Sequence, residues 1–343
     1  MKHQWLGNTG LRVSSISLGT SPFGSRMGPI SGVDQRGADR IVGLALDAGI
    51  NLFDTADVYS YGEAEEHLGR ALGPRRDEVL VATKCGMRVS ESPNHAGASR
   101  THLIRQVDAS LRRLGTDHVD ILYIHIYDEH TDSEDLTITV EHLVQAGKVR
   151  YGGISNFPAW RVAAADTAAR LLGKPRFAVY QGLWNLLCRD VEDDLVPMCR
   201  ELGLGFVAWG PLAYGMLTGK YRRDRPPPRG SRLGDASARE TLSLRYDPER
   251  ALDAVDALSA IAEQRGATTG QIALAWLLTQ PGLTSVLTGA RTVEQLQANL
   301  GALETELTPD ELARIDALSP SPRRWPNWQI DDNRQSRAAG VPH

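Results

Sequence analysis

The feature of this sequence that most constrains its fold is a short apolar run that ends in a charged residue. Residues 79–84, Val-Leu-Val-Ala-Thr-Lys, show it most clearly. A β-branched and apolar run of this length is typical of a parallel strand that is covered on both faces. Burying the ammonium of Lys84 would cost free energy unless a counter-charge lies beside it. The segment therefore predicts a buried strand whose end carries chemistry.

Short apolar runs occur eight times, five of them end in a polar residue, and helical segments lie between them. The runs lie at residues 15–18, 50–54, 79–84, 119–125, 151–155, 177–181, 205–209 and 284–287. Predicted helices cover residues 34–48, 63–72, 100–114, 135–146, 159–172, 191–202, 250–265, 270–279, 293–300 and 309–317. Eight strands that alternate with helices predict a (β/α)8 barrel, the TIM barrel, with its active site at the carboxyl ends of the strands.

The remaining segments extend this barrel without adding a second domain. We expect a single domain over residues 1–343, in which residues 16–318 form the barrel. Residues 3–15 predict a β-hairpin around a Gly-Asn-Thr-Gly turn. Residues 211–249 form a connection so long that it indicates a lid over the site or a disordered stretch. Residues 320–343 form a polar tail, which we expect to pack across one end of the barrel.

Composition and charge argue against several classes of function. The chain has a formal net charge of −4 and no dominant basic face, which argues against nucleic-acid binding. Neither a signal peptide nor a run long enough to span a membrane is present. The three cysteines are scattered and not in a CxxC spacing, as is typical of a reducing compartment. The sequence predicts a cytoplasmic protein with a small-molecule substrate and no nucleic-acid or membrane partner, and leaves homo-oligomer formation open.

Four residues near the ends of neighbouring strands form a candidate catalytic group. Asp54, Lys84 and His125 end the second, third and fourth strands, and Tyr59 follows Asp54 on the same loop. A tyrosine hydroxyl has a pKa of about 10, and a buried lysine within about 4–6 Å is expected to lower it. Asp54 would keep Lys84 charged, and His125 could orient a substrate oxygen. This arrangement predicts a general acid for carbonyl reduction. No metal site is expected, because no further ligand at a suitable spacing joins His125 and His130.

These residues and several longer motifs resemble the aldo-keto reductases over nearly the whole chain, from residue 6 to about residue 318. The motifs are Asp-Thr-Ala-Asp-Val-Tyr at 54–59, Thr-Lys at 83–84, Gly-Lys-Val-Arg-Tyr-Gly-Gly-Ile-Ser-Asn at 147–156, Leu-Thr-Gly-Lys-Tyr at 217–221 and Gly-Ala-Arg-Thr at 289–292. The resemblance implies that Asp54, Tyr59, Lys84 and His125 are the catalytic tetrad of that family. It also implies that Tyr59 is the acid and that NADPH supplies the hydride.

Within that family, the pattern is similar to the branch of the aryl-alcohol dehydrogenases. The segments that carry this similarity are residues 122–125, 158–160, 180–185, 189–190 and 196–200. Two positions depart from the usual pattern. Thr288 stands where proline is frequent, and Ile126 stands where tryptophan or arginine is commoner after the histidine. The second departure changes a wall of the substrate pocket and leaves the chemistry intact.

The cofactor site can be approached from the residues themselves. No GxGxxG fingerprint occurs, so a phosphate site at the helix after the eighth strand is the alternative for a barrel. Gly289 and Arg291 lead into that helix, and Thr292 and Gln295 have the spacing of a capping box. Free amides and the guanidinium of Arg291 could hold the 2′-phosphate of NADP.

The resemblance implies further cofactor contacts, which share positions at the strand ends and in the long connection. Trp209 would stack on the nicotinamide, with Gly19 and Thr20 beside its ribose, and Asp54 would also contact the cofactor. Ser155, Asn156 and Gln181 would bind the carboxamide. The pyrophosphate would lie under a belt of Gly210, Pro211, Leu212, Ala213, Lys220 and Arg232, and the adenine would contact Gln295 and Asn299.

The expected function is NADPH-dependent reduction of an aryl or aliphatic aldehyde or ketone to the alcohol. An alternative on the same fold is a reductase of keto-sugars or of specialised metabolites. A third hypothesis, from another class, is a cofactor-bound regulatory subunit resembling the β-subunits of potassium channels. Those relatives tend to lack the histidine of the tetrad, whereas His125 is present here.

Overall fold

Ten strands form the sheet structure of the part of the chain that the structure describes. The computed structural model describes residues 1–224, 226–228, 231–243 and 245–319, and positions 324, 326, 327, 329, 330 and 334. The strands are β1 (His3–Trp5), β2 (Arg12–Ser14), β3 (Ile16–Gly19), β4 (Leu52–Asp54), β5 (Leu80–Cys85), β6 (Val119–Ile124), β7 (Val149–Ser155), β8 (Val179–Leu183), β9 (Gly205–Trp209) and β10 (Ser285–Gly289). Strands β3 to β10 are parallel and close a barrel, in which β10 pairs with β3. The predicted (β/α)8 barrel is confirmed.

Helices surround the barrel. They are α1 (Gln35–Asp47), α2 (Glu63–Leu72), α3 (Arg100–Leu114), α4 (Ser133–Gln145), α5 (Ala159–Leu171), α6 (Leu195–Leu202), α7 (Ala236–Ser243), α8 (Pro248–Arg265), α9 (Thr269–Leu278), α10 (Val293–Leu300) and α11 (Pro309–Leu318). Their starts follow from local capping. Asp34 accepts a hydrogen bond from the amide of Gly37, and Thr268 and Thr308 each begin a complete capping box.

The predicted hairpin closes the amino-terminal end of the barrel. Strands β1 and β2 pair antiparallel, and the amide of Asn8 donates to the carbonyl of Gly203 at 2.9 Å. Leu6 and Val13 are fully buried, and they pack with the apolar side chains inside the barrel, such as Leu52 and Val207. The opposite end, where the strands finish on polar residues, is thus left as the open end of the barrel.

The long connection after β9 contains more regular structure than the sequence indicated. Besides α7, it includes 3-10 turns at Ala213–Thr218 and Arg232–Gly234. Arg223 binds the carboxylates of Glu249 and Asp253, so the connection is attached to α8. The described residues of the connection are therefore ordered, and its role as a lid stays a prediction.

Other differences from the expected boundaries are small. Helix α6 begins at Leu195 instead of residue 191, because Asp190–Glu192 forms a separate 3-10 turn. The predicted tail, residues 320–343, lies mostly outside the described residues. At the described positions, Arg324 pairs with Asp190 at 2.9 Å and Asn327 donates to the carbonyl of Asp193. These contacts lie on the loop between β8 and α6.

No helix in the described part of the chain combines the length and the apolar character that crossing a membrane requires.

The contact between α2 and α3 gives a test of the packing. A methyl group at Gly69 would lie 2.2 Å from the carbonyl oxygen of Leu114, whereas one at Gly43 in α1 would meet nothing within 4 Å. We expect Gly69→Ala to lower the free energy of unfolding by about 1–3 kcal/mol. The matched variant Gly43→Ala should raise it by about 0.5–1 kcal/mol, because alanine is the better helix former. Urea denaturation measures both, and equal stability of the two variants would contradict the packing.

Candidate active site

A buried ion pair lies at the carboxyl ends of two adjacent strands. Asp54 pairs in register with Ala82, which places Lys84 of β5 just beyond the end of β4. The ammonium of Lys84 binds the carboxylate of Asp54, and both side chains are almost completely buried. The same ammonium donates to the carbonyl of Thr55 at 2.9 Å and to the hydroxyl of Tyr59 at 3.3 Å. The structure thus brings three of the four predicted catalytic residues into one hydrogen-bonded group.

Electrostatics keep Lys84 charged. Burial alone disfavours the ammonium, but the neighbouring Asp54 and Tyr59 together raise the pKa of Lys84 above its usual value. Gln181 supports the counter-charge, because its amide donates to the second carboxylate oxygen of Asp54 at 2.8 Å. Both oxygens of Asp54 therefore have a donor, as a buried carboxylate requires.

The pKa of Tyr59 departs from the expectation that Lys84 would lower it. Burial raises the pKa of Tyr59 above 10, and this effect outweighs the opposing charge of Lys84. Lys84 does lower the pKa of Tyr59 as expected, but the sequence left out the loss of solvent, which has the larger effect. Tyr59 is consequently protonated at neutral pH and can act as a proton donor.

The backbone after Tyr59 fixes the orientation of that side chain. Ser60 and Tyr61 have φ angles of 48° and 55°, a left-handed conformation that non-glycine residues seldom adopt. The hydroxyl of Ser60 is buried and donates to the carbonyl of Phe23 at 3.0 Å. The turn is therefore held by the loop that follows β3, which compensates for the strain.

His125 follows β6 and is neutral. Burial, together with the charge of Lys84, lowers the pKa of His125 to about 3. Its ring meets that of Tyr59 edge-on, with 6.0 Å between the centroids. The Nδ1 atom is buried and has no hydrogen-bond partner among the described residues. A neutral imidazole beside the hydroxyl of Tyr59 can donate or accept one hydrogen bond at a substrate oxygen.

The residues expected near the nicotinamide lie together at the ends of β7 to β9. The indole nitrogen of Trp209 donates to the amide oxygen of Asn156 at 3.2 Å. The amide nitrogen of Asn156 donates to the carbonyl of His125 at 2.9 Å and to the hydroxyl oxygen of Ser155 at 3.0 Å. Gln181 lies between them on β8 but is bound to Asp54, so its amide nitrogen is already engaged.

The end of β3 offers a polar atom that a ligand can satisfy. Gly19 pairs with Gly289 of β10, and the amide of Thr20 donates to the carbonyl of Asp54 at 2.9 Å. The hydroxyl of Thr20 is buried, and no described residue serves as its hydrogen-bond partner. An orphaned hydroxyl next to Asp54, together with the Nδ1 atom of His125, fits a site built to receive a polar cofactor.

Two arginines of the predicted phosphate site, Arg232 and Arg291, lie near each other. Burial lowers the pKa of Arg232, and the charge of the nearby Arg291 lowers it further. Within the described ranges, no carboxylate pairs with either guanidinium. Cations that are close together without a counter-charge fit an anionic phosphate. Lys220, the third cation of the predicted belt, is exposed and lies over the ring of Tyr221.

The helix after β10 is capped differently from the prediction. Thr292 does cap α10, because its hydroxyl accepts from the amide of Gln295 at 3.3 Å. The side chain of Gln295 reaches one residue further back and accepts from the amide of Arg291 at 2.9 Å. The predicted reciprocal bond to Thr292 is therefore absent among the described contacts. Asn299 lies one turn further along the same helix.

The belt after β9 forms a left-handed turn that includes one residue the sequence analysis missed. Gly210, Ala213 and Tyr214 have positive φ angles, with Pro211 and Leu212 between them. The ring of Tyr214 meets that of Trp209 at 6.3 Å, and Arg245 donates to its hydroxyl. Its only sequence signal was its place immediately after the predicted belt.

Comparison with known proteins agrees with this geometry. Residues 15–320 match the model of the aldo/keto reductase family. The chain belongs to that family. It is therefore an oxidoreductase of carbonyl or alcohol groups that uses a nicotinamide cofactor.

Relatives over nearly the full length carry different names. A probable voltage-gated potassium channel subunit beta of Oryza sativa subsp. japonica is 35% identical, covering 94% of this chain and 98% of its own. An L-glyceraldehyde 3-phosphate reductase of Escherichia coli (strain K12) is 36% identical, covering 92% of each chain. An aryl-alcohol dehydrogenase [NADP(+)] of Phanerodontia chrysosporium is 32% identical, covering 96% of this chain and 90% of its own. Identity alone does not separate these three kinds of protein.

The depressed pKa of His125 makes a prediction about acid stability. The folded protein keeps His125 neutral, whereas the unfolded chain binds a proton there below about pH 6.5. Stability is therefore lost as the pH falls from 6.5 towards 3. We expect the free energy of unfolding of His125→Gln to fall less steeply over this range, by up to about 1.4 kcal/mol per pH unit. Parallel pH profiles for the two proteins, measured by urea denaturation, would contradict the assignment.

Proposed function

We propose that the protein catalyses the NADPH-dependent reduction of an aldehyde or ketone to the alcohol, with Tyr59 as proton donor. The observation that carries this proposal is the contact of Lys84 with the Tyr59 hydroxyl, 3.3 Å at the open end of the barrel. When bound, the reduced nicotinamide supplies the hydride. The chain itself supplies the proton, the charge that stabilises the donor and the surfaces that orient both reactants.

Tyr59 releases its proton only when the substrate oxygen becomes basic. Its raised pKa keeps the hydroxyl protonated in the resting site. As the carbonyl oxygen gains negative charge, the proton passes to it, and the ammonium of Lys84 stabilises the tyrosinate that remains. Asp54 holds Lys84 in place and balances its charge, so the site is neutral before the transfer.

His125 orients the same oxygen. A neutral imidazole can donate one N–H bond to the carbonyl without adding a charge that would compete with Lys84. Its pKa of about 3 keeps it neutral over the whole physiological range. Tyr59 and His125 therefore act as two neutral donors to one oxygen.

The cofactor is proposed to lie across the ends of β7 to β10 and of β3. The indole of Trp209 would stack on the nicotinamide, because Asn156 holds its nitrogen. Asn156 keeps one lone pair of its amide oxygen for the carboxamide, and the hydroxyl of Ser155 keeps its proton to donate. The hydroxyl of Thr20 would gain its missing partner at the ribose.

The phosphates are proposed to lie against the cationic residues of the long connection and of α10. Arg291 would bind the 2′-phosphate and Arg232 the pyrophosphate, with Lys220 and residues 210–213 completing the belt. Gln295 and Asn299 on α10 would contact the adenine. The convergence of Arg232 and Arg291 without a carboxylate partner in the described ranges supports this assignment.

The relatives suggest different substrates and one different role. We favour aryl or aliphatic aldehydes, in line with the aryl-alcohol dehydrogenase, and keep small sugar-type carbonyl compounds as the second candidate, because one relative is named for such a substrate. A regulatory subunit is the less favoured reading, since His125 completes the tetrad here. A single cytoplasmic domain remains our prediction from the sequence.

The role of Tyr59 can be tested by removing one hydroxyl. We expect Tyr59→Phe to lower kcat for aryl aldehydes by about 100- to 10,000-fold, the range for loss of a general acid. Binding of NADPH, followed by quenching of tryptophan fluorescence, should stay within about twofold of that of the parent protein, because the hydroxyl does not hold the cofactor. Full activity of the variant would mean that another group donates the proton.

Arg291 can be tested by comparing two cofactors that differ by one phosphate. We expect Arg291→Gln to weaken binding of NADPH by about 10- to 100-fold, because a charge-assisted contact is lost, and to leave binding of NADH unchanged. Arg150→Gln, at the other end of the barrel, is the matched control and should change neither. Equal loss for both cofactors would remove Arg291 from the 2′-phosphate site and leave the reductase proposal standing.

A further inference from the structure

Asn156 connects three strands at the open end of the barrel. It follows β7, and its amide nitrogen donates to the carbonyl of His125 at 2.9 Å, beyond the end of β6. Its amide oxygen accepts from the indole nitrogen of Trp209 at 3.2 Å, at the end of β9. Its own carbonyl accepts from the amide of Tyr127 at 3.4 Å. Asn156 thus binds both ends of the segment 125–127 and also the indole of Trp209, which lies two strands away.

The partners leave only one orientation for the amide of Asn156. The carbonyl of His125 can only accept a hydrogen bond, and the indole nitrogen of Trp209 can only donate one. Rotating the amide by 180° would break both bonds at once. A change in one of these hydrogen bonds therefore changes the other, because both are made by the same planar amide group.

The hydrogen bond from Asn156 helps to fix the position of the His125 ring. Its Nδ1 atom is buried and unpartnered among the described residues, so that nitrogen does not orient the ring. Two hydrogen bonds hold the backbone of His125: its amide donates to the carbonyl of Cys85 at 2.9 Å, and its carbonyl accepts from Asn156 at 2.9 Å. The edge-on contact of the ring with Tyr59 depends on both anchors, and Asn156 is the one that also binds Trp209.

The backbone conformation explains why asparagine suits this position. Its φ angle is 56°, in the left-handed region, which asparagine and glycine tolerate better than other residues. Aspartate would accept from Trp209 but could not donate to His125. Glycine keeps the backbone conformation and removes the amide, which makes it the clean deletion.

We propose that Asn156 is a positioning residue that couples the indole of Trp209 to His125. Displacement of either partner then changes the other through the shared amide. The catalytic consequence of this coupling rests on the proposed function, in which Trp209 faces the cofactor and His125 faces the substrate oxygen. It adds to the expected carboxamide contact, which uses only the lone pair that remains on the amide oxygen.

The first test needs neither cofactor nor substrate. In a nitrogen–proton correlation spectrum, the indole signal of Trp209 is the one missing from Trp209→Phe, and the imidazole signals of His125 are those missing from His125→Gln. In Asn156→Gly we expect the indole proton of Trp209 to shift and to exchange faster. We also expect Trp209→Phe to shift the His125 signals, by an amount that becomes much smaller when residue 156 is already glycine. Trp5→Phe, on the exposed face of the hairpin, should change none of these signals.

The second test measures the catalytic consequence by a double-mutant cycle. We expect Asn156→Gly and Trp209→Phe each to lower kcat for an aryl aldehyde more than either raises its KM. The product of the two single effects should exceed the effect of the double variant by about fivefold or more, because both remove the same bond. Equal thermal midpoints would show that folding is not the cause.

The outcomes separate this inference from the proposed function. The coupling would be overturned if the two single effects on kcat simply multiplied in the double variant. It would also be overturned if the indole signal of Trp209 were unchanged in Asn156→Gly. The same holds if Trp209→Phe shifted the His125 signals equally with asparagine and with glycine at position 156. A protein that reduces no carbonyl compound would end the proposed function, and the spectra alone would then decide whether Asn156 links Trp209 to His125.

Discussion

The ion pair of Lys84 with Asp54 is the interaction on which the rest of the site depends. A buried pair is stabilising only if its remaining donors and acceptors are satisfied, and here Thr55, Tyr59 and Gln181 satisfy them. Thr55 and Tyr59 lie on the loop after β4, and Gln181 lies on β8, so these partners meet only when the strands of the barrel have the observed register. The barrel therefore positions the pair, and the pair in turn fixes the hydroxyl that we propose as the acid. A shift of one residue in β5 would turn Lys84 away from the barrel interior.

Much of this could be predicted from the sequence, because the information was local. Each barrel strand is an apolar run, and five of the eight runs end at a polar residue that the structure places at the open end of the barrel. Parallel neighbours bring such ends together whatever their separation along the chain, which is why Asp54, Lys84 and His125 could be grouped without coordinates. The helices could also be predicted from local sequence, since a few neighbouring residues show their caps and terminal glycines. The main boundary error, at α6, arose where a 3-10 turn precedes the helix.

What the sequence could not predict depends on burial and on contacts between distant segments. The sequence predicted the cation beside Tyr59 but not the loss of water around its hydroxyl, and this loss has the larger effect on the pKa of Tyr59. The partner of Gln295 depends on where a flexible side chain ends, one residue beyond the expected one. Tyr214 and α7 lie in a segment whose composition suggested only a long connection. Its order comes from arginine contacts to an aromatic ring and to α8, which no periodicity reveals.

Burial also gives the site its chemical character. The same loss of solvent raises the pKa of Tyr59 and lowers that of His125, because in each case it disfavours the charged form. Both groups are thereby kept as neutral donors beside one fixed cation. In the proposed reaction, a substrate oxygen that develops negative charge would meet two donors and an ammonium whose own charge is already balanced by Asp54. The positive charge of Lys84 would matter most after the proton has left Tyr59, when it would stabilise the tyrosinate. Burial sets the resting protonation of Tyr59 and His125, and the ion pair would make the proposed transfer of the proton possible.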